Sequence, residues 1–423
     1  MHGKENIRQI IGKKTAAALA LAVFVVCVMA FPQETEAMKT IGNPDAEAPE
    51  LTAEAACIYS LDLDRLVYGY NEDEQLPPYS MTKMLTCYLA AENLDLDQEV
   101  EISAEAAKEY PDGSEMDLSE GEIVTVRDLI YGSMLWSGND AACALGEAVS
   151  GTESEFADLM NETAAEWGCE NTHFVNANGW DDDDQYTTAA DLAVIAKHCF
   201  ANEIVAEAAS TKEYTVDATN MFEEREMENF SLKANDYNKD ILYAKTGSWS
   251  SYDCGITFEF KKGSLTAIAV LMSDTEDGRE EDSEALMEFA SEVTPGFIPA
   301  EKGDEVGLVW VKGGSKTRMK VCVDATTVAY PESEDEEGVE VKLVPDEELT
   351  APVSKGDKVG KYEVYANGDL VAEANLCAAE DITEGWFPSN IYISNLATVI
   401  ILLALALTAI TAVIIKRNSL KDK

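Results

Sequence analysis

Three short motifs stand in order along the chain: Ser80-Met81-Thr82-Lys83, Ser137-Gly138-Asn139 and Lys245-Thr246-Gly247, each occurring once in 423 residues. A serine hydroxyl attacks an amide only if a base takes its proton and donors hold the oxyanion that forms. Three residues apart on a helix, Ser80 and Lys83 project from one face, so the amine can reach the hydroxyl. An ordinary lysine is protonated at neutral pH, and Lys83 is a usable base only if it is desolvated or set near a second cation such as Lys245. A helix N-terminus favours negative charge at Ser80, whose amide is a natural oxyanion donor. Ser137, between two helical stretches, can pass a proton from the lysine to a leaving amine. Asn139 offers a donor and an acceptor to a peptide backbone. Lys245 brings positive charge for a terminal carboxylate, Thr246 a hydroxyl and Gly247 room for substrate beside the strand, with Ser248 next in line. Any one motif alone fits a surface helix, a turn or a hairpin strand. The ordered set fits acyl transfer through serine.

These groups need elements to hold them. Pro77-Pro78 stops the preceding segment, and residues 81–92 show helical apolar spacing, which predicts a helix with Ser80 at its start. Further helices are expected over 126–134, 140–149, 153–166 and 189–200. Residues 55–60 and 65–70 read as a hairpin ahead of the nucleophile, and 253–260 with 265–272 as an antiparallel pair after the Lys245 strand. Composition shifts at Thr294-Pro295-Gly296. Beyond it, strands are expected at 305–312, 318–323, 340–344, 361–366 and 369–374, an all-β region with a solvated acidic insert at 331–338.

The N-terminus carries Lys4, Arg8, Lys13 and Lys14, then the apolar run 15–31, then Thr35-Glu36-Ala37, the pattern of a secretory signal peptide over 1–37. Residues 38–50 read as a linker. At the other end, 391–415 is apolar enough for a transmembrane helix, and Lys416, Arg417, Lys421 and Lys423 make 416–423 a basic cytoplasmic tail. The expected location is therefore the cell membrane, single-pass, with the catalytic part extracytoplasmic.

A net charge of −49 and a pI near 4.2 exclude nucleic-acid binding and repel anionic surfaces. Of nine cysteines, Cys27 falls in the leader, and most of the others sit in apolar segments, where a thiol behaves as a small hydrophobe. Only His173 and His198 lie in the exported part, too few for a zinc carboxypeptidase site, and Lys83 makes a histidine base unnecessary. The run Asp181 to Asp184 lacks calcium-loop spacing and reads as a solvated loop. Trp136, Trp180 and Trp249 are core residues by default, with a cleft lining as the other reading.

At these motifs the chain resembles the low-molecular-weight penicillin-binding proteins, the serine D-alanyl-D-alanine carboxypeptidases of peptidase family S11. The likeness extends to Asn171-Thr172-His173-Phe174-Val175-Asn176, Thr187-Thr188-Ala189-Ala190-Asp191-Leu192 and Leu349-Thr350-Ala351-Pro352. It implies an α/β (α+β) domain of the β-lactamase/transpeptidase type over 51–293, with an antiparallel sheet between helices, and a small all-β domain over 300–384. It also implies removal of the terminal D-alanine from peptidoglycan stem pentapeptides through an acyl-enzyme on Ser80, with β-lactams as covalent inhibitors and no metal or organic cofactor. In that scheme Lys83 is base, Ser137 proton relay, and Asn139, Lys245, Thr246, Gly247 and Ser248 bind substrate. The amides of Ser80 and Ser248 form the oxyanion hole. Departures from the family pattern are Tyr79 before the serine and Ser248-Trp249 after Lys-Thr-Gly. A β-lactamase is disfavoured by the lack of a Glu-x-x-Leu-Asn loop after Ser137. A DD-transpeptidase and a non-catalytic wall or antibiotic sensor stay open on residues alone.

Overall fold

The computed structural model describes residues 38–421 apart from 44, 109, 111–112, 332–337, 387–388 and 390–392. The expected signal peptide over 1–37, most of the acidic insert, and residues 391–392 of the expected span lie outside the described residues, as do 422–423 of the tail.

Strands with an unbroken apolar run are buried on both faces. Three such strands, Ala55–Ser60, Leu265–Asp274 and Asp253–Lys262, form the centre of a five-stranded antiparallel sheet, with Arg65–Tyr70 at the edge beside the first and Ile241–Ser250 at the edge beside the last. Side chains alternate between two cores: Cys57, Ile268, Val270 and Met272 point into one, Ala56, Ile58, Ala267, Ala269 and Leu271 into the other. Helix Ala189–Ala201 covers the first face and helix Glu276–Val293 the second. The expected sheet between helical layers is what the chain builds.

The helices foreseen from spacing appear as Lys83–Asn93, Val126–Leu135, Asn139–Ser150, Glu153–Glu166 and Ala189–Ala201. Lys83–Asn93 lies deepest, with Met84, Leu85, Cys87 and Ala90 fully buried. Three helices had no expectation behind them, Glu203–Ser210, the single turn Phe230–Lys233 and Glu276–Val293. The first half of the last is almost entirely acidic, so apolar periodicity is confined to Leu286, Met287, Phe289, Ala290 and Val293; the start is set by the Thr275 cap, whose side chain accepts from the Gly278 amide.

Past Gly296 a second sheet runs Glu305–Trp310, Arg318–Val323, Asp369–Ala378, Lys358–Ala366, Val339–Pro345, around its own core of residues such as Val311, Met319, Val321, Val364 and Leu376. Within 38–50, read from sequence as a linker, the first residues are held in a sheet. Lys39–Ile41 is a strand paired antiparallel to Gly296–Ala300, with Lys39 opposite Ile298 and Ile41 opposite Gly296. A three-residue strand has no periodicity to detect, and its partner lies far away in sequence. All eight described cysteines are free, six of them buried. The chain continues into a helix, Asn395–Lys421, of 27 residues.

Candidate active site

Ser80 lies in a 3₁₀ turn, Tyr79–Thr82, that leads into helix Lys83–Asn93; the spacing placed it at the start of the α-helix itself. In a 3₁₀ turn residues three apart eclipse one another, and the Lys83 Nζ is 2.7 Å from the Ser80 Oγ. The same nitrogen is 2.8 Å from the Asn139 Oδ1 and 2.6 Å from the Asn178 carbonyl oxygen. Lys83 is fully buried, and its pKa is lowered well below the usual lysine value, first by desolvation and then by the Lys245 charge. A neutral amine has two N–H groups and one lone pair. Both oxygens contributed by Asn139 and Asn178 are pure acceptors, so they take the two N–H groups. In that neutral form the lone pair would face the Ser80 hydroxyl; in the protonated form the third N–H donates to the Ser80 Oγ.

Ser137 has a left-handed backbone, φ 59°, on the turn between helices Val126–Leu135 and Asn139–Ser150. Its Oγ accepts a hydrogen bond from the Lys245 Nζ at 2.9 Å, and the same Nζ donates to the Thr246 carbonyl at 2.9 Å. With that hydroxyl oxygen occupied as an acceptor, its proton is free to be given. Burial is the main reason the Lys245 pKa falls to about 7, and the Arg279 charge also lowers it. Thr246 is set by Ser231, whose Oγ accepts from the Thr246 amide at 2.9 Å and lies 3.0 Å from its Oγ1.

Gly247 has a use other than the one spacing suggested. A Cβ there would stand 2.8 Å from the Pro78 carbonyl and 3.1 Å from the Ser80 nitrogen. What comes close to the strand at this glycine is the turn that carries Ser80. Gly179 does the same from the other side, with φ 81° and a Cβ position 1.8 Å from the Tyr79 carbonyl oxygen.

Ser80, Ser137, Asn139, Thr246 and Ser248 line one cleft of about 770 Å³, with Lys83 and Lys245 buried behind it. Trp249 forms part of its wall, stacked 6.3 Å from Tyr79 and edge-on to Trp180 at 5.4 Å. Tyr79 is held by its hydroxyl, which donates to the Asp253 carboxylate at 2.6 Å. Trp136 packs against the core instead. His173 bonds the Asp184 carbonyl and His198 stacks on Trp167, so neither serves Ser80.

Residues 43–276 match the family model described as D-alanyl-D-alanine carboxypeptidase, and residues 297–384 that of the penicillin-binding protein 5 C-terminal domain. The chain belongs to the S11 family of D-alanyl-D-alanine carboxypeptidases. Its function is that of these serine hydrolases within the penicillin-binding proteins. It is 29% identical over 343 residues to the carboxypeptidase DacF of Bacillus subtilis, covering 79% of this chain and 87% of that one. With DacC of Escherichia coli it shares 29% identity, over 82% of this chain and 88% of the relative. The structure of penicillin binding protein 5 from Haemophilus influenzae superposes with a TM-score of 0.53 at 28% identity, over 80% of this chain and 100% of that one. The Streptomyces K15 DD-transpeptidase gives 0.54 at 27% identity, over 58% and 98%.

Three further residues at or behind this carboxypeptidase's cleft escaped sequence reasoning. Asn178 acts through its main-chain oxygen, which any residue type supplies. Arg279 is only 7% exposed, lines the cleft, and leaves its Nε without a partner. None of the ion pairs among the described residues involves Lys83, Lys245 or Arg279. Amid Asp277, Glu280, Glu281 and Asp282, that arginine reads in sequence as part of a solvated charged face. Asp140 is the third. Its buried carboxylate accepts from the amides of Met116, Leu118 and Ala141 at 2.8 to 3.0 Å and so fixes the loop that brings Gly113 and Ser114 to the cleft. Asp140→Ala strands those donors without partners and is expected to cost about 3 kcal/mol. Urea unfolding checks this; a loss under about 1 kcal/mol would mean the loop stands without Asp140.

Proposed function

We propose that Ser80 is the nucleophile that removes the C-terminal D-alanine of peptidoglycan stem pentapeptides, with Lys83 as its base. The observation that carries this reading is the fully buried Lys83 amine, 2.7 Å from the Ser80 Oγ and held at 2.8 and 2.6 Å by the Asn139 and Asn178 oxygens. As the Ser80 Oγ bonds to the carbonyl carbon, its proton passes to the Lys83 Nζ, and the amides of Ser80 and Ser248 hold the oxyanion. Ser137 then hands a proton to the nitrogen of the departing D-alanine as the C–N bond breaks. Water attacks the ester in the second half and restores Ser80. Asn139 and Thr246 orient the peptide, and Lys245 with Arg279 supplies the field that holds its terminal carboxylate. A chain of net charge −49 would otherwise repel that group. Gly247 contributes by letting the strand lie against the nucleophile turn. β-Lactams enter as substrates whose acyl-enzyme persists.

The same reading takes 51–293 as the catalytic domain, 300–384 as a β-rich domain, and the C-terminal helix as a membrane crossing with the cleft outside the cell. Residues Asn395–Ile414 have a mean hydropathy of 2.7, with 6% of the apolar window buried. Twenty residues at 1.5 Å each span about 30 Å of hydrocarbon.

The pH dependence of kcat/KM on a peptide ending in D-Ala-D-Ala tests the cation. Lys245 titrates near 7, downward from the usual lysine value, so its charge is present below that pH and lost above it. The free enzyme should lose kcat/KM as pH rises through this region, and lose far less on a substrate whose terminal carboxylate is amidated. Equal alkaline behaviour of both substrates would refute the carboxylate role. Release of free D-alanine in the same assay separates hydrolysis from transfer to an acceptor amine, the reaction named for the K15 neighbour.

A further inference from the structure

The hairpin that joins Glu305–Trp310 to Arg318–Val323 differs in charge from the rest of the chain. Over 308–320 it holds Lys312, Lys316, Arg318 and Lys320 and no carboxylate, in a chain with 80 acidic and 31 basic side chains. Register sets Leu308 opposite Lys320 and Trp310 opposite Arg318. Leu308 and Trp310 are each 51% exposed, and the Arg318 guanidinium lies 4.4 Å from the Trp310 ring centroid. Lys316 and Lys320 pair with Glu380 and Glu305, and Glu384 faces Gly314 across a backbone bridge; Lys312 and Arg318 have no carboxylate within ion-pair distance among the described residues.

This hairpin is also where the C-terminal helix begins. The Asn395 amide donates to the Ser315 carbonyl at 3.0 Å, and the Asn395 Oδ1 accepts from the Trp386 amide at 2.8 Å. Gly385 donates to the Gly313 carbonyl at 2.7 Å, so the hairpin turn that follows the Trp310 strand and the exposed Trp386 both lie beside the first turn of that helix.

We propose that the hairpin tip and Trp386 form a foot that seats on the outer phospholipid leaflet, with Trp310, Trp386 and Leu308 at headgroup depth and Lys312 and Arg318 on lipid phosphates. This rests on the membrane crossing proposed above. A helix that enters the hydrocarbon just after Asn395 brings every group hydrogen-bonded to Asn395 to the interface. Tryptophan settles there because its ring is apolar and its N–H is not. Screening in salt confines electrostatics to about 10 Å, and with Lys316 and Lys320 balanced by Glu380 and Glu305, Lys312 and Arg318 outnumber Glu384 at the hairpin and set the sign of the contact. Guanidinium suits phosphate oxygens in pairs. Held by the span and by the foot, the β-rich region cannot swivel freely, which keeps the cleft oriented toward the wall.

The test uses the full chain in vesicles of phosphatidylcholine with brominated acyl chains, with or without phosphatidylglycerol, and reads tryptophan fluorescence. Bromine quenches only rings at the bilayer. The variant Trp310→Phe/Trp386→Phe is expected to lose about half or more of the quenching seen in the parent. Lys312→Gln/Arg318→Gln should abolish the extra quenching that phosphatidylglycerol produces. Quenching absent from the parent, or unchanged in the tryptophan variant, overturns the foot. An alkaline wash distinguishes the two readings: a chain that stays with the vesicles but is not quenched keeps the crossing and loses the foot, while release by the wash removes both. Protection of hairpin amides from exchange by a soluble polyphosphate, without bromolipid quenching, would assign the surface to an anionic wall polymer and also overturn the lipid foot.

Discussion

Ser80→Ala is expected to form no covalent adduct with penicillin and to release D-alanine at least about 10⁴-fold more slowly than the parent. The reason is chemical: among the described residues Ser80 supplies the hydroxyl hydrogen-bonded to the Lys83 amine, and Ser137 is bonded to Lys245 at 2.9 Å instead. The fold should survive. The Ser80 Oγ makes one of three hydrogen bonds at Lys83, and the other two partners, Asn139 and Asn178, are untouched. Loss of one such bond costs about 1 kcal/mol. Intact-mass analysis after penicillin treatment, with peptide mapping, measures the outcome. An adduct on the alanine variant would remove Ser80 from the mechanism.

Lys83→Arg is the second, and it separates a base from a mere charge. Arginine can reach a neighbouring hydroxyl and donate hydrogen bonds, but it keeps its proton throughout the working range. If Lys83 acts by accepting the Ser80 proton, acylation by penicillin should fall by about 10³-fold in Lys83→Arg and by a similar factor in Lys83→Met. Stopped-flow acylation rates with a fluorescent penicillin give the comparison. An arginine variant that acylates near the parent rate would show that positive charge, not basicity, is what the site needs. A linked effect appears in stability. Because the folded pKa of Lys83 lies below its unfolded value, the unfolded chain carries the extra proton between the two, and stability rises with pH across that window. Lys83→Met removes this contribution to the slope, which urea midpoints at several pH values will register.

The site and the fold were legible in sequence to different degrees. Apolar spacing of Met84, Leu85 and Leu89 gave the helix behind Ser80, and apolar runs at 253–260 and 265–272 gave an antiparallel pair, while the sheet between helical layers followed from the family resemblance. Lys39–Ile41 stayed hidden because three residues carry no period and the strand's existence depends on Gly296–Ala300. Helix Glu276–Val293 was obscured by its acidic first half, and with it Arg279. Gly247 was read toward substrate, and its crowding by Pro78 and Ser80, which limits the position to glycine, depends on a segment remote in sequence.

By itself the sequence determined which atoms can react: a hydroxyl and an amine one turn apart, a second serine, and a lysine on a strand. It also determined membership in a family, through motifs in order. Only the tertiary structure decided that the Lys83 amine is dry, that its two N–H groups meet Asn139 and a main-chain oxygen at Asn178, and that Lys245 turns to Ser137. Proton affinity is set by solvent exclusion and by charges brought near from remote segments. No local stretch of residues contains that sum until the chain has folded.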